Sequence, residues 1–206
     1  MIKKKLNVLL QSIHQKYPNN NEVLFLIANK YKEQNNCDKA IKIYDKLIKQ
    51  STDKDNLYYL KAICLDKQNK WEDSKQILVE LISRNPKDAF VLNYLSYSMA
   101  IRNENLKEAK KLIIKALEIE RNNGFFLDTL GWIQFKLNDV NKALRTIQLA
   151  IELEPNNSEI IDHLGDIYYK IGRKREAIYE WNRALSANVD NKLKKKIRSK
   201  LKKYNK

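Results

Sequence analysis

The pentapeptide Asp128-Thr129-Leu130-Gly131-Trp132 returns thirty-four residues later as Asp162-His163-Leu164-Gly165-Asp166, and a variant, Asn93-Tyr94-Leu95-Ser96-Tyr97, precedes both. The recurrence reaches beyond the pentapeptides: Gly131, Ala143, Ala150 and Pro155 match Gly165, Ala177, Ala184 and Val189 at the same interval. A fixed period of this length constrains the fold more than any single motif. It is what two helices joined by a tight turn require, and small side chains recur where helix backbones cross closely. Read backward, Ser96, Ala109 and Ala116 fill the same roles with one extra residue in the turn near Asn103; then come Ala62, Ser74, Leu81 and Pro86, and before them Ala28, Ala40 and Leu47. Gly131 is expected at a helix crossing with Ala143 and Ala150 opposite. Five repeats follow, 21–54, 55–88, 89–123, 124–157 and 158–189, flanked by 1–20 and 190–206.

Larger apolar residues fall at helical spacing inside each repeat, Leu127, Leu130 and Ile147 in the fourth and Ile161, Leu164, Tyr168 and Trp181 in the fifth, predicting a buried seam between paired helices. Asn85-Pro86 and Glu154-Pro155 end the second helix of their repeats, because proline offers no amide donor and turns its predecessor away from helix. Four glycines and three prolines in 206 residues are too few for a sandwich or barrel with a turn every ten residues or so. The expected class is all-α.

These residues resemble the tetratricopeptide repeat (TPR) family, whose loose pattern is an aromatic or leucine, Leu-Gly, an aromatic, an Ala, an aromatic, an Ala and a closing Pro. It is carried best by LDTLGWIQFKLNDVNKALRTIQLAIELEP and IDHLGDIYYKIGRKREAIYEWNRAL. The first three repeats have Ala or Ser for the glycine, Leu47 and Leu81 replace the second alanine, and Arg121 stands where the third repeat would have its proline. The resemblance covers about residues 21–190, and the last three repeats look like C-terminal arrays of bacterial, alphaproteobacterial-like, repeat proteins. It implies a right-handed superhelical solenoid of antiparallel helix pairs with amphipathic capping helices.

The formal charge of +15 is concentrated at the ends: residues 1–20 hold four lysines and no acid, residues 190–206 nine cations against one acid. A basic stripe along the fold would point to nucleic acid, whereas a basic tail need not. Leu193, Ile197, Leu201 and Tyr204 give the tail one apolar face among lysines, as expected of a capping helix that shields the last repeat. The same helix could contact nucleic acid or an anionic surface, or occupy the chain's own groove. Leu6, Leu10, Ile13 and Pro18 fit an N-terminal cap or half repeat, as in a truncated or longer array.

By resemblance, positions two, five, nine and twelve of each repeat line a concave face. They select Asn29, Tyr59, Ile63, Asn93 and Tyr97, then Phe125, Asp128, Trp132 and Phe135, then Asp162, Asp166 and Tyr169. The partner-binding groove is thus assigned to Asn29, Tyr59, Asn93, Tyr97, Asp128, Trp132, Asp162, Asp166 and Tyr169. Its aromatic and acidic lining predicts a protein partner, a peptide or helix with apolar and basic residues. The competing reading is that Tyr97, Trp132 and Phe135 pack on neighbouring repeats while Asp128, Asp162 and Asp166 pair with lysines. If the groove is open, replacing Tyr97, Asp128, Trp132 and Asp162 together abolishes capture and leaves melting unchanged. Family members that clamp a chaperone's terminal carboxylate use Lys and Arg on this face, but here Phe25, Tyr59, Asn93, Asp128 and Asp162 occupy it and only Asn29 fits that pattern.

No catalytic constellation is present in the sequence. His14 and His163 lack a nucleophile at interpretable spacing and are expected to be inert surface residues. Asp162 and His163 are adjacent and point about 100° apart on a helix, so the set with Asp166 lacks metal-ligand spacing and no metal or other cofactor is expected. Cys37 and Cys64 form no CxxC pair and fit a reducing compartment. The N-terminal stretch lacks a cleavage site, and no run of eighteen apolar residues occurs. The expectation is a cytoplasmic, non-catalytic scaffold or adaptor.

Overall fold

The computed structural model describes residues 9, 12, 13, 15–187 and 189–204. Leu6, Leu10 and His14, and with them most of the proposed N-terminal cap, lie outside the described residues. From Asn21 onward the described chain is helical without strands, and it divides into two compact units, Met1–Pro86 and Lys87–Lys206.

The first unit contains α1 (Asn21–Glu33), α2 (Cys37–Gln50), α3 (Asp55–Lys67) and α4 (Trp71–Arg84). Its core gathers Leu24, Ala28, Ala40, Tyr44, Leu47, Leu60 and both cysteines. Both thiols are free and buried. Burial and a hydrogen bond with Cys37 push the Cys64 thiol up to about 12, so this pair behaves as small core hydrophobes.

The second unit contains α5 (Ala89–Ile101), α6 (Leu106–Ile119), α7 (Gly124–Lys136), α8 (Val140–Leu153), α9 (Ser158–Lys170), α10 (Lys174–Ser186) and α11 (Asn191–Tyr204). Within it, successive helices pack as antiparallel pairs. Where the pairs cross there is no room for a larger residue: a Cβ on Gly131 would lie 2.7 Å from Ile147 Cγ1, and one on Gly165 2.5 Å from Trp181. The side chain over Gly131 is therefore Ile147 rather than the expected alanines, although Ala143 and Ala150 are fully buried. Where serine replaces the small residue, its hydroxyl is satisfied across the pair: Ser96 Oγ donates to the Ala109 carbonyl at 2.7 Å, and in the first unit Ser74 Oγ donates to that of Ala62 at 2.8 Å.

The turn inside each pair has its own residue. Asn35, Asn69, Asn103 and Asn138 take φ of 57°, 62°, 54° and 63°, and Gly172 takes 83°. These left-handed residues end the first helix of a pair, where asparagine and glycine are the least strained choices. The next amide bonds back across the turn, as Lys70 N–H does to the Leu65 carbonyl at 3.0 Å and Asp139 N–H to that of Gln134 at 2.9 Å. Asn20, Asp88, Asn123 and Asn157 cap the helices that follow by accepting from their first-turn amides. These asparagines thus share two structural uses, ending the first helix of a pair and capping the next pair.

Candidate partner-binding surface

In the first unit the selected residues are Asn29 on α1 and Tyr59 on α3, both half-buried. Asn29 Oδ1 accepts from the hydroxyl of the fully buried Tyr44 at 2.8 Å, which fixes its amide. A cleft of about 600 Å³ opens in the same unit among Phe25, Leu26, Leu47, Asn56 and Leu57, with Glu22 and Asp53 at its edge.

The remaining seven residues lie in the second unit, where the first helices of the pairs bring most of them into one connected arrangement. Tyr97 on α5 donates its hydroxyl to Glu159 on α9. Burial and this carboxylate both raise the Tyr97 pKa, so the phenol is the donor. Asp128 on α7 and His163 on α9 meet at 2.8 Å, with 6% and 2% exposure. Trp132 stacks on the His163 imidazole at 4.0 Å and 14°, and on Phe135 at 5.1 Å. Desolvation pulls the His163 pKa down, but the charge and hydrogen bond of Asp128, with Glu159 and Asp162 nearby, outweigh it and the net shift is upward. His163 is therefore a buried partner of Asp128, and its expected place as an inert surface residue is corrected.

Beyond this pair α11 closes the arrangement. Asp162 has no exposed surface, and its oxygens receive Lys196 Nζ at 3.0 Å and Lys200 Nζ at 2.6 Å. Lys200 also reaches Asp166 Oδ1 at 2.5 Å, an oxygen that accepts from Trp181 Nε1 at 3.2 Å. Each ammonium lies near an indole, Lys196 5.9 Å from Trp132 and Lys200 5.5 Å from Trp181. Burial opposes the charge on Lys196, yet Asp162 and Asp166 hold its pKa above the ordinary lysine value. Tyr169 packs on Tyr204 of α11 at 4.1 Å, and Ile197 is fully buried in the same cluster.

The exposure expected of these positions is thus absent at Asp128, Trp132 and Asp162, because His163 and the lysines of α11 face them. Substituting those three would disturb buried pairs, so a fourfold replacement cannot leave melting unchanged. Asn93 differs: its Oδ1 is buried and accepts no hydrogen bond among the described residues. Phe125 differs too, with 49% of its surface exposed. Sequence reasoning did not name Glu159, Lys196 or Lys200, although its competing reading gave the aspartates lysine partners, and it put His163 on the surface. The available signal was the period itself, which aligns Asp128, Asp162 and Lys196 in one row and Trp132, Asp166 and Lys200 in another.

Residues 33–93 and 126–157 match family models of the tetratricopeptide repeat. A TPR repeat-containing protein of Pseudomonas aeruginosa is 32% identical over 126 residues, 59% of this chain, and the match spans only 21% of that relative's length. Among solved structures, a thermophilic TPR protein of Thermus thermophilus superposes with a TM-score of 0.77 over 88% of this chain and 99% of its own, at 19% identity. A TPR protein of Parabacteroides merdae gives 0.74 over 95% and 77%, at 15% identity. The APC/C hetero-tetramer Cut9-Hcn1 gives 0.82 over 98% of this chain and 40% of that one, also at 15% identity. At these identities the likeness is one of fold.

Proposed function

This chain is a tetratricopeptide repeat protein, and on that premise we propose that it is a non-catalytic scaffold or adaptor whose first-helix faces hold a peptide or helix of a partner protein. The observation that carries the reading is in the second unit: the acidic face of α9 already holds a helix, α11, through two lysines, while the apolar stripe of that helix packs on the core shared by α9 and α10. A surface that seats one basic amphipathic helix has the chemistry to seat a similar partner segment. Phe125 offers a partner an exposed apolar anchor, and Asn93 stands half-buried on the preceding first helix. Two buried free thiols support placement in a reducing, cytoplasmic compartment, and among the described residues no helix is long and apolar enough to cross a membrane.

Affinity capture from native lysate, with and without nuclease, tests this reading on the wild type and an Asn93→Ala, Phe125→Ala variant. Neither change empties the core, so circular dichroism and melting should be retained while a nuclease-resistant protein partner is lost. Capture unaffected by the variant would overturn the assignment of this face.

One observation favours a second reading, contact with nucleic acid through the tail. Lys192, Lys195, Arg198 and Lys202 are exposed on α11 while Ile197 is buried, and the helix has no acidic residue. Such contact would fall steeply with salt as phosphate neutralisation releases counterions.

A further inference from the structure

The docked face of α11 specifies the chemistry of a ligand. Asp162 and Asp166 stand one turn apart on α9, and each accepts from a lysine of α11, Lys200 bridging the two. Trp132 and Trp181 flank those ammonium groups, and Ile197, between the two lysines in sequence, enters the core. The contact therefore reads two cations at i and i+4 with an apolar residue at i+1.

The helix that satisfies this pattern is a poor helix by itself. Its fourteen residues carry eight cations and no acid. Lys192 to Lys196, Lys196 to Lys200 and Arg198 to Lys202 are like-charge pairs four residues apart, and isolated helices of this length are marginal even without such repulsion. Its order comes from docking, so it is among the first elements to open locally.

We propose that this face is a docking site for basic amphipathic helices of partner proteins, and that α11 is a releasable internal ligand covering it. The proposal rests on the scaffold reading and adds to it the partner's pattern and a means of regulation. An internal ligand competes at an effective concentration set by its short connection, of order mM. The apparent affinity of a partner is then reduced by the fraction of molecules in which the site is open. Weakening α11 without altering the face should tighten partner binding by the same factor, whereas a purely structural cap predicts no gain.

The test uses the full chain and a fluorescent peptide with the sequence of residues 191–204, titrated by anisotropy. Lys196→Gln and Lys200→Gln loosen α11 and leave Asp162, Asp166 and the tryptophans in place. The double variant should bind the peptide at least about tenfold more tightly than the wild type. Hydrogen exchange of residues 191–204 should be faster in that variant, and adding peptide to the wild type should accelerate it too. A control peptide with glutamate at the counterparts of Lys196 and Lys200 should bind neither protein. If the double variant loses helicity, Lys196→Gln alone replaces it, since Lys196 is half exposed and Lys200 still holds Asp162. Equal or absent binding by parent and loosened variant, with exchange showing α11 released, would overturn the proposal. It would leave the scaffold reading to the Asn93 and Phe125 capture experiment, which does not depend on α11.

Discussion

The closeness of α9 to α10 makes Gly165→Ala a strict test of the packing described above. The added methyl would lie 2.5 Å from both Cδ1 and Nε1 of Trp181 and 3.2 Å from Cε2, against a normal carbon contact of about 3.5–4.0 Å. Roughly 1 Å of movement is needed, and the indole has little freedom to supply it. Trp181 is 1% exposed, its Nε1 donates to Asp166, and the rings of Tyr169 and Tyr204 each lie 5.8 Å from its own. Overpacking of this kind costs about 1–3 kcal/mol, and loosening a hydrogen bond to a carboxylate adds about 1 kcal/mol. Replacing a helical glycine by alanine returns about 1 kcal/mol, leaving a net loss of about 2 kcal/mol. Gly124→Ala is the control: its first obstacle is the Cγ of Glu154, a flexible side chain, so its effect should stay within about 1 kcal/mol of zero. Urea unfolding followed by circular dichroism and tryptophan fluorescence measures both. Hydrogen exchange across residues 158–186 assigns the change to this helix pair when the two units do not unfold together. A Gly165→Ala protein as stable as the parent would refute the reasoning.

Two further outcomes follow from the same geometry. The His163 pKa is raised in the folded protein, so its contribution is fully present below the unfolded value near 6.5 and fades as pH rises through the folded value. Asp128, Glu159 and Asp162 all act on this ring, and Asp128→Asn removes the strongest attraction. Urea midpoints of the wild type should fall between about pH 5.5 and about pH 8.5, with a smaller slope for the variant; a rising wild-type midpoint contradicts the assignment. Asn138→Ala places an ordinary side chain at φ of 63° and should cost about 1 kcal/mol, while Asn138→Gly should cost nothing, as thermal melts will show.

The helix pairs are legible in the sequence because the thirty-four-residue period and the glycine, alanine and proline positions report directly on backbone crossing and helix ends. The asparagines at 35, 69, 103 and 138 carry an equally regular signal, visible once left-handed turns are sought. Side-chain direction across the pairs is harder to read. Periodicity places Ala143, Ile147 and Ala150 on one stripe, but which of them covers Gly131 depends on helix rotation of a few tens of degrees. The same limit hid His163: a polar residue beside two acids looks solvated in sequence, and only the approach of α7 shows it enclosed. Lysines are hardest of all, because a four-carbon stem reaches either solvent or a buried carboxylate from the same backbone position.

The rows that run across the repeats resolve the apparent conflict between a basic protein and an acidic face. Asp128, Asp162 and Lys196 occupy equivalent positions thirty-four residues apart, as do Trp132, Asp166 and Lys200. Helix α11 therefore stands in the register of a next repeat's first helix, with its charge reversed so that it neutralises the row before it. Asp162 is buried because that reversal supplies both of its partners. The tail's positive charge is consequently of two kinds. Lys200, and the half-exposed Lys196 beside it, are held against modest salt by the buried Asp162, whereas exposed Lys195, Arg198 and Lys202 are screened over about 10 Å at 0.1 M ionic strength. A salt series on the full chain separates them: association through the outer cations should vanish at salt concentrations that leave the hydrogen-exchange protection of α11 intact. Loss of both together would show that the lysine contacts to α9 are no stronger than surface pairs, and that the apolar stripe alone seats the helix.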